Sequence, residues 1–191
     1  DQLAGFGAIV GGMAKTADKV EIEQDSFAGK TVVLLADITE DVTVNKSVTI
    51  DGAGKNYTGG ISVAGRSTAA AVKNVKFIGG ANYAITTNSI KSITVENCTA
   101  TGYDYGFLYA NKSTPTVAVK DVTVTGVNYG FHWVYGTAAT LENVKMTDVA
   151  YGIMVQNFGA KSVTMTNCEI SGANPIVVWE KATAEQTFNL A

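Results

Sequence analysis

The chain has 191 residues and a mass of 19.9 kDa, enough for one domain with a sizeable core and a poor length for two. Charged residues make up only 16% while glycine occupies 20 positions and proline 2, so the chain buries much of itself and turns often. A net charge of −3, with Arg66 the single arginine and no basic cluster, argues against a nucleic-acid partner, which needs several Lys or Arg on one face. No apolar run approaches the ~18 to 20 residues of a transmembrane segment.

At the start, Leu3, Phe6, Ile9, Val10 and Met13 fall on one helical face, despite glycines at 5, 7, 11 and 12 that each cost about 1 kcal/mol in a helix. The expectation is a short helix over 3–13, part of an N-terminal cap spanning 1–28 that covers the first turn of the β region. The same stretch is too glycine-broken for a signal-peptide core and has no basic leader, so any secretion signal is expected to have been removed already. From 29 onward the pattern is β. "TVVLLADI" at 31–38, "VTVNKSVTIDG" at 42–52 and "ISV" at 61–63 alternate apolar and polar residues between turn residues such as "DGAGKN".

Beyond residue 72 the chain repeats itself. "NYAI" at 82–85 returns as "DYGF" at 104–107, "NYGF" at 128–131, "AYGI" at 150–153 and "NPIV" at 174–177, the starts separated by 22, 24, 22 and 24 residues. Each unit also carries an earlier short segment around an Asn or Asp, namely Asn74, Asn97, Asp121, Asn143 and Asn167. A period in the twenties indicates a solenoid, whose single units cannot bury an apolar side alone. The units hold only Leu108 and Leu141, which excludes a leucine-rich repeat, and Val, Ile, Phe and Thr dominate instead, as in short strands. "EQTFNLA" at the end offers a last strand or tail.

These rungs resemble the right-handed parallel β-helix of the pectin-lyase-like superfamily over about residues 31–181. The opening "FAGKTVVLLADI" is similar to the starts of β-helical domains in large secreted or surface proteins of bacteria. The resemblance implies an all-β fold, a right-handed single-stranded parallel β-helix of about 22–24 residues per rung over 29–191, and a secreted or cell-surface bacterial setting. It does not carry an active site with it. Lyases of this fold use a carboxylate-bound calcium and basic residues, and the hydrolases use clustered carboxylates. The outward row here offers only His132 and Glu180, two rungs apart, so no catalytic residue is assigned, and neither a metal nor another cofactor is expected.

Four ladders are candidates for more than packing. Cys98 and Cys168 each follow the rung Asn, three rungs apart; at ~4.8 Å per rung that is about 14 Å, beyond the roughly 7 Å between Cα atoms that a disulfide spans, so both are expected as buried free thiols. The Asn/Asp series reads as an amide ladder along one corner rather than as metal ligands or as a glycosylation site at "NCT". Tyr83, Tyr105, Tyr129 and Tyr151 form an aromatic ladder, structural or suited to stacking on a glycan, with Trp133 or Trp179 as further platforms. With Ile85, Phe107, Phe131, Ile153 and Val177 taken as inward, alternation turns Thr86, Leu108, His132, Met154 and Val178 outward, followed by a row containing Val134. An apolar stripe of Leu108, His132, Val134, Met154 and Val178 would be a ligand or partner face, occupied by a glycan, a surface protein or a second copy of the chain. The functional expectation is a non-catalytic module for adhesion, as a stalk or for recognition. The alternatives are a carbohydrate-binding module, or a polysaccharide lyase or hydrolase whose catalytic residues are not recognisable.

Overall fold

The Val-, Ile- and Thr-rich segments form strands, and from Lys19 onward each pairs in parallel with the strand one repeat further along. The result is an all-β parallel solenoid of about six turns, with about 23 residues per turn. The computed structural model describes residues 15–16, 19–22, 25–156, 161–178 and 185–191. The helix expected over 3–13 lies outside them. Among the described residues there is no α-helix, only a 3-10 turn at Asp25–Phe27.

Each turn has three sides. The first, called here the aromatic side, stacks Lys19–Ile22, Asp41–Val44, Ile61–Ala64, Tyr83–Asn88, Gly106–Ser113 and Tyr129–Tyr135, followed by the last parts of Ala138–Val155 and Glu169–Val178. The second begins with Thr31–Val33, Thr49–Asp51 and Ala69–Lys73 and continues through the first halves of Ser92–Thr101 and Thr116–Thr125 to Lys161–Thr166 and Gln186–Leu190. The third runs from Ile38–Thr39 through Asn56–Thr58 and Lys76–Phe77 into the second halves of the same long strands.

Period-2 alternation sends one residue in two into the lumen between the sides. On the aromatic side the inward columns are Val42, Ile61, Ile85, Leu108, Phe131 and Ile153, and Val44, Val63, Thr87, Ala110, Trp133 and Val155, all buried. Each such aliphatic or aromatic side chain contributes roughly 1.5–3 kcal/mol on burial, and the stack turns these into one continuous core. Among the polar groups that enter it, Thr87 and Thr114 hydroxyls lie 2.8 Å apart, and Trp133 Nε1 donates to the Thr114 carbonyl at 3.1 Å.

The corner between the second and third sides holds the amide ladder. Asn74, Asn97, Asp121, Asn143 and Asn167 all have φ between 51° and 57°, a left-handed conformation that Asn and Asp tolerate better than other side chains. Asn97 Nδ2 donates to Asn74 Oδ1 at 2.8 Å, and Asn74 Nδ2 to Asp51 Oδ1 at 3.0 Å. Asn167 likewise donates to Asn143 at 2.6 Å, and Asn143 to Asp121 at 3.0 Å. Burial would raise the Asp51 pKa, but hydrogen bonds from the Ala53 N–H and the Asn74 amide, with Lys73 nearby, hold it below the usual value. Cys98 and Cys168 are free, as expected; Cys98 is buried and Cys168 only half-buried.

The register departs from the tetrapeptide alignment at two turns. Ile85 pairs with Leu108, not Phe107, and the column continues through Phe131 and Ile153 to Ile176, not Val177. The cause is a corner that shortens along the stack: eight steps separate Phe77 from Ile85 and Ala100 from Leu108, seven separate Val124 from Phe131 and Met146 from Ile153, and six separate Ile170 from Ile176. Leu108 is therefore core, at 0% exposure, and Tyr109 takes the outward place. Phe107 is buried as well, because its position turns at the bend towards Phe77, 6.2 Å away between ring centroids. At the last turn the same reassignment puts Val178 in the inward column beside Val155, though the end of the stack leaves it 44% exposed.

Candidate functional site

The site grows out of two columns on the aromatic side. From Thr43, which pairs with Glu21 of the turn before, the outward column reads Thr43, Ser62, Thr86, Tyr109, His132, Met154 and Val177. From Thr43 it runs through three hydroxyls about 4.8 Å apart and then changes abruptly to large side chains. The corner column, three residues earlier in each strand, reads Tyr83, Gly106, Tyr129, Tyr151 and Asn174.

Rings from the two columns interleave into one strip. Tyr83 stacks on Tyr109 with centroids 4.9 Å apart and planes at 19°, Tyr109 meets His132 at 4.6 Å, and His132 stacks on Tyr129 at 5.2 Å. Tyr129 stacks on Tyr151 at 5.1 Å and 13°. Gly106 makes room for this: a Cβ there would lie 2.9 Å from the Tyr83 ring and collide with the Tyr129 carbonyl. Tyr105, one residue out of the column, leans on Tyr83 at 6.0 Å and 44° and is 49% exposed.

Stacking uses up ring faces. In the middle of the strip, Tyr109, His132 and Tyr129 each have neighbours on both sides, so they offer edges to solvent. Tyr83 is the first ring of the strip, and in the turn before it the outward column holds Ser62 in place of a ring. There a groove of about 1080 Å³ opens, floored by Thr43, Gly60, Ser62 and Thr86 and walled by Asn82, Tyr83, Tyr105 and Tyr109. Asp41 closes its far end, with Oδ1 accepting the Gly60 N–H at 2.9 Å. Burial, with the neighbouring tyrosines, pushes the Tyr83 pKa up, and burial does the same for Tyr109, so both hydroxyls stay neutral donors.

His132 sits outside the groove. Its Nε2 is 2.6 Å from Gln156 Oε1, and Nδ1 is buried without a hydrogen-bond partner. Burial holds its pKa below 6.5, against the opposing effect of the Gln156 bond. Met154 is its half-buried outward neighbour, as expected, whereas Val134 is buried at 8% exposure. With Leu108 in the core and Val134 covered, the apolar stripe expected for a partner is reduced to Met154 and the end of the stack. Glu180 and Trp179 lie outside the described residues.

Of the residues singled out for glycan stacking, Tyr83 and Tyr105 border the groove, while Tyr129 and Tyr151 lie further along the strip. The sequence reading gave no role to Tyr109, Asp41, Thr43 or Ser62. Aligning the turns on the corner pairs Gly102-Tyr103 and Gly126-Val127 instead of on the tetrapeptide would have exposed the extra residue. Among the described residues no three His, Cys, Asp or Glu gather as metal ligands. No family model, curated protein or solved structure matches the chain.

Proposed function

We propose that the chain is a non-catalytic glycan-recognition module of a secreted or cell-surface bacterial protein. Its solenoid, right-handed as parallel crossovers overwhelmingly are, serves as a rigid frame for the groove. The observation that supports this reading is that Tyr83, the first ring of the strip, lines one groove with the hydroxyl row Thr43, Ser62 and Thr86. A pyranose presents C–H faces that pack on a phenol ring and a rim of hydroxyls that need partners. A concave site with aromatic walls and a few convergent polar groups meets both needs. The non-catalytic part rests on the lining: the one carboxylate among its described residues, Asp41, already holds a backbone N–H, whereas glycoside hydrolysis employs a pair of carboxylates at a set separation.

The test is a broad glycan array followed by calorimetric titration of the hits. Tyr83→Ala is expected to weaken binding by at least about tenfold, as loss of a central aromatic anchor does. Met154→Ser, outside the groove, should leave it unchanged. If no glycan binds, or if Tyr83→Ala binds as the parent does, the recognition reading fails and the adhesion or stalk role is what remains.

A further inference from the structure

Building on that reading, we infer that the groove selects uncharged glycans and rejects uronates, with Asp41 as the discriminating residue. Among the described lining residues Asp41 is the one with a formal charge; the others are hydroxyls, one amide, tyrosines, glycines and small apolar groups. Its position is set by the structure: Oδ1 receives the Gly60 N–H at 2.9 Å, which fixes the carboxylate at the end of the floor. A carboxylate has about four acceptor sites, so further donors can still approach it. The hydroxyls of an uncharged sugar are such donors, and bonds from them to a carboxylate are of the stronger, charge-assisted kind.

The same oxygens repel a second carboxylate. A uronate could be accepted in two ways, and the groove lacks the means for both. A direct ion pair needs Lys or Arg, neither of which is among its described lining residues. A bridging calcium needs 6 to 8 oxygens. Here one carboxylate stands beside neutral hydroxyls, with no cluster of acids among the described residues. The step from Thr86 to Tyr109 shapes the site, and the charge of Asp41 then chooses among sugars of that shape.

The experiment titrates the intact chain with gluco-, manno- and galacto-hexaoses and with oligogalacturonate and hyaluronan oligomers, each in EDTA and in millimolar calcium. The expected result is binding of at least one uncharged oligomer and weaker binding of both uronate series, with calcium making no difference. Asp41→Asn keeps an oxygen for the Gly60 N–H and removes only the charge. It should improve the uronate-to-neutral affinity ratio about fivefold, the factor that one unit charge at about 4 Å makes in water. Uronates that bind as tightly as uncharged oligomers, uronate binding that appears with calcium, or an unchanged ratio in Asp41→Asn would each overturn the inference. Silence from every oligomer would instead sink the recognition reading beneath it.

Discussion

The amide ladder is interrupted at one place, and the interruption predicts a stabilising substitution. Its hydrogen bonds run in one direction, each amide donating to the oxygen of the turn before, in two chains: Asn97 to Asn74 to Asp51, and Asn167 to Asn143 to Asp121. Both end on a carboxylate, which has no N–H to pass on. Asn97 and Asp121 are in register, bracketed by the pairs Glu96 with Lys120 and Cys98 with Val122, so an acceptor of Asp121 faces the Asn97 oxygen. Asp121→Asn supplies the missing donor without altering the demand for φ near 54°, which Asn meets as well as Asp. One neutral hydrogen bond is worth about 0.5–1.5 kcal/mol, and this exposed corner belongs near the lower end. For a chain of this length each kcal/mol moves Tm by about 2–4 °C, so thermal unfolding followed by circular dichroism should show a rise of about 1–4 °C. Asn143→Asp is the converse: it removes the donor to Asp121, sets two carboxylates side by side and should lower Tm by a similar amount or more. If Asp121→Asn melts at or below the parent temperature, the Asn residues recur only because the corner is left-handed, and the bonds between them contribute nothing.

Three further outcomes are expected. Leu108→Ala should cost about 2–5 kcal/mol in urea unfolding, as a buried Leu does, whereas Tyr109→Ser should cost far less; the reverse order would contradict the register at this turn. Burial keeps His132 neutral in the fold while the unfolded chain takes up its proton at about 6.5, so stability is full above that value and is lost as pH falls from it towards the lower folded value. His132→Gln should flatten that limb of a stability-pH curve, and a curve identical to the parent's would show that His132 is not its source. Burial pushes the Cys98 thiol up to about 11, so in native protein iodoacetamide should label the half-buried Cys168 well before Cys98, and equal rates would show that the turn around Cys98 opens.

The solenoid was legible in the sequence because its cause is periodic: one turn cannot bury its own apolar side, so the same small set of residues must recur. The amide ladder could be read for the same reason, since a left-handed corner selects Asn or Asp at every turn. The groove could not, because it comes from a break in the period. It depends on Thr86 giving way to Tyr109 in one column and on Gly106 standing where Tyr83 and Tyr129 stand in the next. Seeing either requires the correct register at a turn whose corner is longer than those that follow it. "DYGF" matches its neighbours as a string, but its Tyr occupies a loop position and its Phe the place held elsewhere by Ala84, Gly130 and Gly152. Those glycines face Met146 and Ile170 across the lumen, so the space that Phe107 fills in its own turn is filled from the opposite wall in the later ones.

That longer corner also bears on how the chain could have grown. In a strand, one inserted residue inverts which side chains face inward from that point to the next bend. At a corner the same insertion only lengthens a loop, and the inward columns resume in phase, as they do after Tyr103. Each turn therefore restarts its own frame, and a length change is contained within the turn where it occurs. A library of single-residue insertions along the chain should consequently survive in a comb, tolerated at the bends and lost between them. The corner built around Tyr105 and Gly106, one residue longer than those of the next two turns, borders the groove.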